Sequence, residues 1–252
     1  MTWAGRNSVT AQRFEYKYLI REPQADVVRA FALSHMVPDE HADPVHGSQY
    51  PVYSLYLDTA GLRLFRSSMA GEKNRFKLRV RWYDDAAHTP AFLEVKGRRN
   101  DVIVKQRAPV RKEAVDRGLG SFCMLQEDLT EPSAVHLASL DRFCELSTKL
   151  LAEPKVFVRY VREPYVSPDG DSMRLTMDRH IACLRADGPS LELDRPGWVD
   201  LDDRWIVLEI KFTDTFPRWA CEMVRALNLV RTSAAKYVRS VEALRSWGIA
   251  LA

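Results

Sequence analysis

The chain has only four cysteines, Cys123, Cys144, Cys183 and Cys221, and they form no C-x-x-C pair. That spacing argues against zinc or thioredoxin-like chemistry and for reduced, structural thiols. No run approaches the roughly 20 apolar residues that cross a bilayer. Met1 to Thr10 carries no apolar stretch of a secretory leader. A cytoplasmic location with no membrane segment of its own is therefore expected. Charge of one sign is not in excess either: 37 Lys and Arg face 34 Asp and Glu, so the bulk composition requires no nucleic-acid partner. There is no internal repeat, no low-complexity stretch and no Pro/Gly-rich linker. One α+β domain over residues 11–246, built on a large antiparallel sheet and preceded by a tail at 1–10, is the organisation these absences favour.

What is present is positive charge in a particular arrangement. From Arg75 to Arg81 every second residue is cationic (Arg75, Lys77, Arg79, Arg81), and Phe76, Leu78, Val80 and Trp82 alternate with them. A two-residue period is that of a strand, with the cations on one face and the apolar residues on the other. Same-face neighbours stand roughly 7 Å apart. Each adjacent pair then repels by about 0.6 kcal/mol in water and about 2.4 kcal/mol at an effective dielectric of 20. Such a row is tolerable in solvent and costly when enclosed without anions.

Similar faces recur. Arg13, Glu15 and Lys17 alternate with Phe14, Tyr16 and Tyr18; Glu94 and Lys96 share a face before Gly97; Lys105 and Arg107 are in phase; so are Arg174, Thr176 and Asp178, and Glu209 and Lys211. Strands are predicted at 51–58, 101–109, 155–166, 172–178, 181–185, 190–193 and 204–212, helices between 111 and 151, from Pro217, and over 233–246. Loop insertions fall at 38–50, 84–90 and 194–203. Arginine suits bidentate phosphate binding and lysine adds a mobile point charge, so converging basic faces would bind an anion with several phosphates. Glu15, Glu94 and Glu209 either neutralise neighbouring cations or place a divalent metal against phosphate oxygens. Three other features read as structural. Asp39, Glu40, His41, Asp43 and His46 have no regular spacing and form a solvated loop. Gly118-Leu119-Gly120 lacks the context of a phosphate loop. Trp198, Trp205, Trp219 and Trp247 serve packing.

Taken in order, Glu15-Tyr16-Lys17-Tyr18, Ser54-Leu55-Tyr56-Leu57-Asp58-Thr59, Lys77-Leu78-Arg79-Val80-Arg81-Trp82-Tyr83, Leu93-Glu94-Val95-Lys96, Arg159-Tyr160-Val161-Arg162, Arg174-Leu175-Thr176-Met177-Asp178, Leu208-Glu209-Ile210-Lys211 and Ser233-Ala234-Ala235-Lys236-Tyr237 resemble the VTC domain. That family is the polyphosphate polymerase branch of the triphosphate tunnel metalloenzymes. The resemblance implies a closed antiparallel β-barrel of about eight strands with flanking helices. It implies a metal-dependent transfer of the terminal phosphoryl group of ATP to a polyphosphate chain, with manganese or magnesium as cofactor. Lys17, Arg79, Arg81, Lys96, Arg159, Arg174 and Lys236 match its phosphate-binding positions, Lys17, Arg159 and Lys236 its catalytic ones, and Glu209 its metal-binding glutamate. By this match Arg75 and Lys77 only attract the anion. A tunnel triphosphatase and a non-catalytic polyphosphate-binding module are the alternatives. No nucleic acid is expected as a partner; a membrane-protein partner is compatible. Two departures stand out: Arg13 replaces the first acid of a Glu-x-Glu-x-Lys signature, and two alanines separate Ser233 from Lys236.

Overall fold

A computed structural model describes residues 13–251 apart from 43, 46, 100, 101, 122, 123, 170, 171 and 203. The expected tail at 1–10, Asp43, His46 and Cys123 lie outside the described residues.

Eight strands form one antiparallel path: β1 (Arg13–Ile20), β10 (Ile206–Thr213), β8 (Met173–Arg185), β7 (Glu153–Val166), β3 (Tyr50–Asp58), β4 (Asn74–Trp82), β5 (Ala91–Arg99) and β6 (Val102–Val110). Short β2 (Val37–Pro38) and β9 (Val199–Asp200) pair with β7 and β8. The helices are α1 (Glu22–His35), α2 (Arg63–Met69), α3 (Lys112–Ser121), α4 (Ala134–Leu150), α5 (Arg218–Ala226) and α6 (Lys236–Ser246).

Alternation along the strands sorts the side chains. On the convex face, Leu78, Val80 and Trp82 of β4 pack with Val115 of α3 and Leu140 and Phe143 of α4. Leu208, Ile210 and Phe212 of β10 pack with Val28 of α1 and Met223 of α5. The concave face holds α6 at one end, where Val238, Val241 and Leu244 meet Val156 and Val158 of β7 and Cys183 of β8. Burying each such aliphatic side chain contributes about 1.5–3 kcal/mol. The rest of the concave face carries the charged residues.

The sheet is not the closed barrel expected. Its path ends at β1 and β6, and no pairing joins those two strands among the described residues. The reason lies in the chain between α5 and α6. Arg231 forms a bridge to Tyr18, and the Thr232 N–H donates to the Lys17 carbonyl at 2.9 Å. The outer edge of β1 is thus occupied by residues 231–232. The sheet curls far enough, however, that Lys96 Nζ of β5 reaches Glu15 of β1 at 3.0 Å.

Three other expectations are corrected. Residues 172–178 and 181–185 belong to one strand, β8, which passes through His180 in a left-handed conformation (φ 51°). There a bulge lets Arg159 pair with Ala182 while Val161 pairs with Arg179. The extra residue reverses the phase of β8, so Asp178 and Cys183 share the concave face. Residues 190–193 form no strand; Leu191 and Leu193 instead pack against the convex core. Helix α1 was not anticipated, because its buried face is made of small residues, Ala25, Val28 and Ala32. Cys183 and Cys221 are free thiols.

Candidate functional site

The concave face encloses a cavity of about 550 Å³. All four cations of the β4 row line it, Arg75 and Lys77 as well as Arg79 and Arg81. Lys96 and Arg98 of β5, Lys17 of β1, Lys211 of β10, Arg162 of β7, Arg231 and Lys236 complete the basic wall; Glu15 and Glu209 are its carboxylates. Among the described residues eleven Lys and Arg therefore face two Glu.

Around the two carboxylates the charges interlock. Lys17 Nζ lies 2.5 Å from Glu15 and 3.2 Å from Glu209; Lys211 also pairs with Glu209, and Lys96 with Glu15. Burial pushes the Glu15 carboxyl up, as does Glu209, but Lys96, Lys17 and Lys211 outweigh them and hold it at about 2. Burial also opposes the ionised form of Glu209, yet Lys211, Lys17 and Lys96 keep it well below the usual carboxylate range. The lysines respond unequally. Burial lowers Lys17, and the two glutamates reverse this and raise it. Burial followed by Lys17 lowers Lys96 to about 7, and burial lowers Lys77 to about 8.

Farther along, Glu94 is fully buried and serves three cations: Arg79 at 2.5 Å, Lys105 at 2.8 Å and Arg107 at 3.3 Å. Its role in the structure is neutralisation. Asp178, also fully buried, accepts both arms of Arg162 at 2.7 and 2.8 Å and the Lys236 ammonium at 2.5 Å. The first turn of α6 that carries Lys236 is tethered by its next residue. The Tyr237 hydroxyl donates to Asp58 Oδ2 at 2.7 Å, and the same carboxylate accepts the Leu64 and Phe65 N–H groups of α2. The Tyr237 ring stacks on Tyr56 at 4.9 Å.

Arg81 and Lys77 are different. Arg81 is 7% exposed and meets only hydroxyls, Ser54 Oγ at 3.3 Å and Tyr160 at 3.1 Å. Neither it nor the half-buried Lys77 has a carboxylate within ion-pair distance among the described residues. A buried cation without a counter-ion is expensive. These two hold the charge that an anion entering the cavity would neutralise.

Of the residues the sequence singled out, the structure brings together Lys17, Arg79, Arg81, Lys96, Lys236 and Glu209 in this cavity. Arg159 is not there. It lies three positions from Arg162 along β7, an odd offset, so it projects from the convex face, where its guanidinium lies 4.4 Å over the Trp198 ring. Arg162 takes the inward place. Arg174 stands on the concave face beyond the cavity lining, paired with Asp39 at 2.7 Å. Asp39 is consequently not part of a solvated loop but 7% exposed. Gly118-Leu119-Gly120 sits within α3. The reading missed Arg98 and Arg231 altogether. Arg98 continues the phase of Glu94 and Lys96 and could have been found by it; Arg231, in irregular chain before α6, carried no periodic signal.

Together the curled antiparallel sheet and its enclosed basic wall define a helix-flanked sheet protein with a polycationic interior cavity. The VTC domain matches residues 12–245, and the chain belongs to that family. It is 25% identical over 210 residues to vacuolar transporter chaperone complex subunit 4 of Schizosaccharomyces pombe, covering 69% of this chain and 29% of that protein. The chain thus spans less than a third of the length of this relative. Among solved structures, a candidate adenylate cyclase of Bacillus halodurans aligns at 13% identity with a TM-score of 0.49, over 89% of this chain and 94% of that one. A candidate adenylyl cyclase of Hippeastrum with a dominant triphosphatase activity aligns at 16% identity with a TM-score of 0.48, over 95% and 97%.

Proposed function

We propose that the chain is a polyphosphate polymerase-like phosphotransferase, moving the terminal phosphoryl group of ATP to the end of a polyphosphate chain held in the cavity. The observation that carries this is a wall of eleven basic residues among the described ones, in which the buried Arg81 and half-buried Lys77 have no carboxylate at ion-pair distance. In the transfer, the bond from the γ-phosphorus to the β-bridging oxygen breaks, a terminal polyphosphate oxygen bonds to that phosphorus, and ADP leaves. Such a reaction needs in-line positioning and neutralisation of charge on non-bridging oxygens more than a protein nucleophile. Arg79, held by Glu94, and Arg162, held by Asp178, are preset donors that need no reorganisation. Lys17, held between Glu15 and Glu209, and Lys236, held by Asp178, present ammonium groups to the reacting phosphates. Lys236 also opens α6, whose N-cap, Ala235, supplies no side-chain acceptor, so the first N–H groups of the helix are open to phosphate oxygens.

A divalent cation fits the donor set in one mode. Among the described residues no group of three or more His, Cys, Asp and Glu could hold a metal. Glu15 and Glu209, both kept ionised, supply two hard oxygen donors, the number with which magnesium is held when substrate phosphates and water complete its shell. A cation bound there supplies charge neutralisation at the bridging and leaving oxygens. No helix among the described residues is long and apolar enough to cross a membrane; a cytoplasmic location belongs to the proposal. So does a protein partner, since the relative is by name a subunit of a complex.

The test is incubation of the purified protein with ATP and manganese while polyphosphate length and free phosphate are followed together. Growth of chains with release of ADP is expected. Phosphate release without chain growth would make the protein a triphosphatase, and tight polyphosphate binding with neither product would leave a binding module.

A further inference from the structure

We infer that Asp39 is an internal competitor for the anion at Arg174, and that it determines how long a phosphate chain must be before the concave face holds it most tightly. This rests on the cavity being a polyphosphate site. Arg174 shares the concave row of β8 with Thr176 and Asp178, and it stands directly across from Lys211, which lines the cavity. Same-face positions on a strand are roughly 7 Å apart, so Arg174 carries the cationic row past the cavity. There its Nη2 meets Asp39 Oδ2 at 2.7 Å, with the Tyr50 hydroxyl at 3.5 Å. Its Nε is buried with no hydrogen-bond partner among the described residues, so part of the guanidinium's donor capacity is unused.

Asp39 is fixed in its place rather than drawn there from solvent. Its N–H donates to the Pro164 carbonyl at 3.1 Å, and its Oδ1 accepts the His41 N–H at 3.0 Å. The carboxylate offers Arg174 what a phosphoryl oxygen would offer. A short anion confined to the cavity does not reach Arg174 and is indifferent to Asp39. A longer chain reaches the guanidinium and gains its full contact only by displacing the carboxylate.

Isothermal titration of the full chain with pyrophosphate, tripolyphosphate and a long linear polyphosphate separates these cases. Asp39→Asn keeps the acceptor for the His41 N–H and removes only the charge. The variant is expected to bind the long chain about fivefold more tightly, the upper range for a partly exposed ion pair, and the two short anions as the wild type does. Adding Arg174→Gln to Asp39→Asn is expected to abolish the gain. An equal gain for all three anions would reduce Asp39 to a diffuse charge and overturn its role, and so would no gain for any. Wild-type protein that binds none of the three overturns the reading of the cavity itself, a result distinct from either.

Discussion

Glu94→Gln removes one negative charge from a residue with no solvent exposure that neutralises three cations at once. Breaking a buried ion pair from one side costs about 3–5 kcal/mol, because the remaining charge stays desolvated. Here Lys105 and Arg107 are 44% and 35% exposed and can turn to water, whereas Arg79 is only 12% exposed and cannot. The lower end, about 3 kcal/mol, is therefore expected in anion-free buffer. For a chain of this size that is a fall in Tm of about 6–12 °C. Tripolyphosphate should reverse most of it. A phosphate charge about 8 Å from the vacated position gains about 2 kcal/mol at an effective dielectric of 20 once the competing carboxylate is gone. The stability gap should narrow to about 1 kcal/mol at saturating anion, with the variant binding tripolyphosphate more tightly than wild type. Urea unfolding followed by circular dichroism, with and without tripolyphosphate, measures the gap, and titration calorimetry measures the affinity. A gap that stays at its anion-free size, together with weaker binding, would refute the reasoning: the charge that Glu94 balances would then not be one that a bound anion balances in its place.

Proton uptake should accompany anion binding. Burial and Lys17 lower Lys96 to about 7, so at pH 8 it is largely neutral in the free protein. A bound phosphate favours the ammonium, hence protons are taken up and affinity falls as pH rises from 7 to 9; calorimetry in buffers of different ionisation enthalpy should show it, and Lys96→Met should reduce it. Arg162→Ala should weaken tripolyphosphate binding by about tenfold or more, as expected for loss of a charged hydrogen-bonding group. Arg159→Ala should leave binding unchanged and cost about 0.5–1 kcal/mol of stability through the lost stacking on Trp198. Tyr237→Phe should cost about 1–3 kcal/mol in urea unfolding, since buried Asp58 loses a donor, and it should weaken tripolyphosphate binding by loosening the turn that presents Lys236.

Periodicity carried the sequence reading a long way. β1, β4, β5 and β10 emerge from their alternation, and with them most of the basic wall. It failed where phase was broken or unmarked. The bulge at His180 reverses the faces of β8, and a period-two pattern read across it yields two strands instead of one. Arg159 and Arg162 sit in one motif on opposite faces of β7, and the motif alone does not say which arginine points inward. α1 buries alanines and a valine, too small to mark a helix face in the sequence. Asp39 was legible as an acid in a loop, but its partner lies 135 residues away and only the register of β8 brings them together. Closure failed as an expectation for a related reason: residues 231–232 take the edge of β1, a competition between distant segments that no local pattern reports.

That occupied edge has a mechanical consequence. To widen a barrel closed by a continuous ladder, several backbone hydrogen bonds must break together. Across the β1 to β5 gap of this protein the span is made by an ion pair between Glu15 and Lys96, whose side chains are 9% and 30% exposed. That is one side-chain contact, whose lysine end solvent reaches, in place of a row of backbone hydrogen bonds. The girth of the cavity is therefore compliant and responsive to ionic strength, and an anion that draws Lys96 away from Glu15 loosens the wall that encloses it.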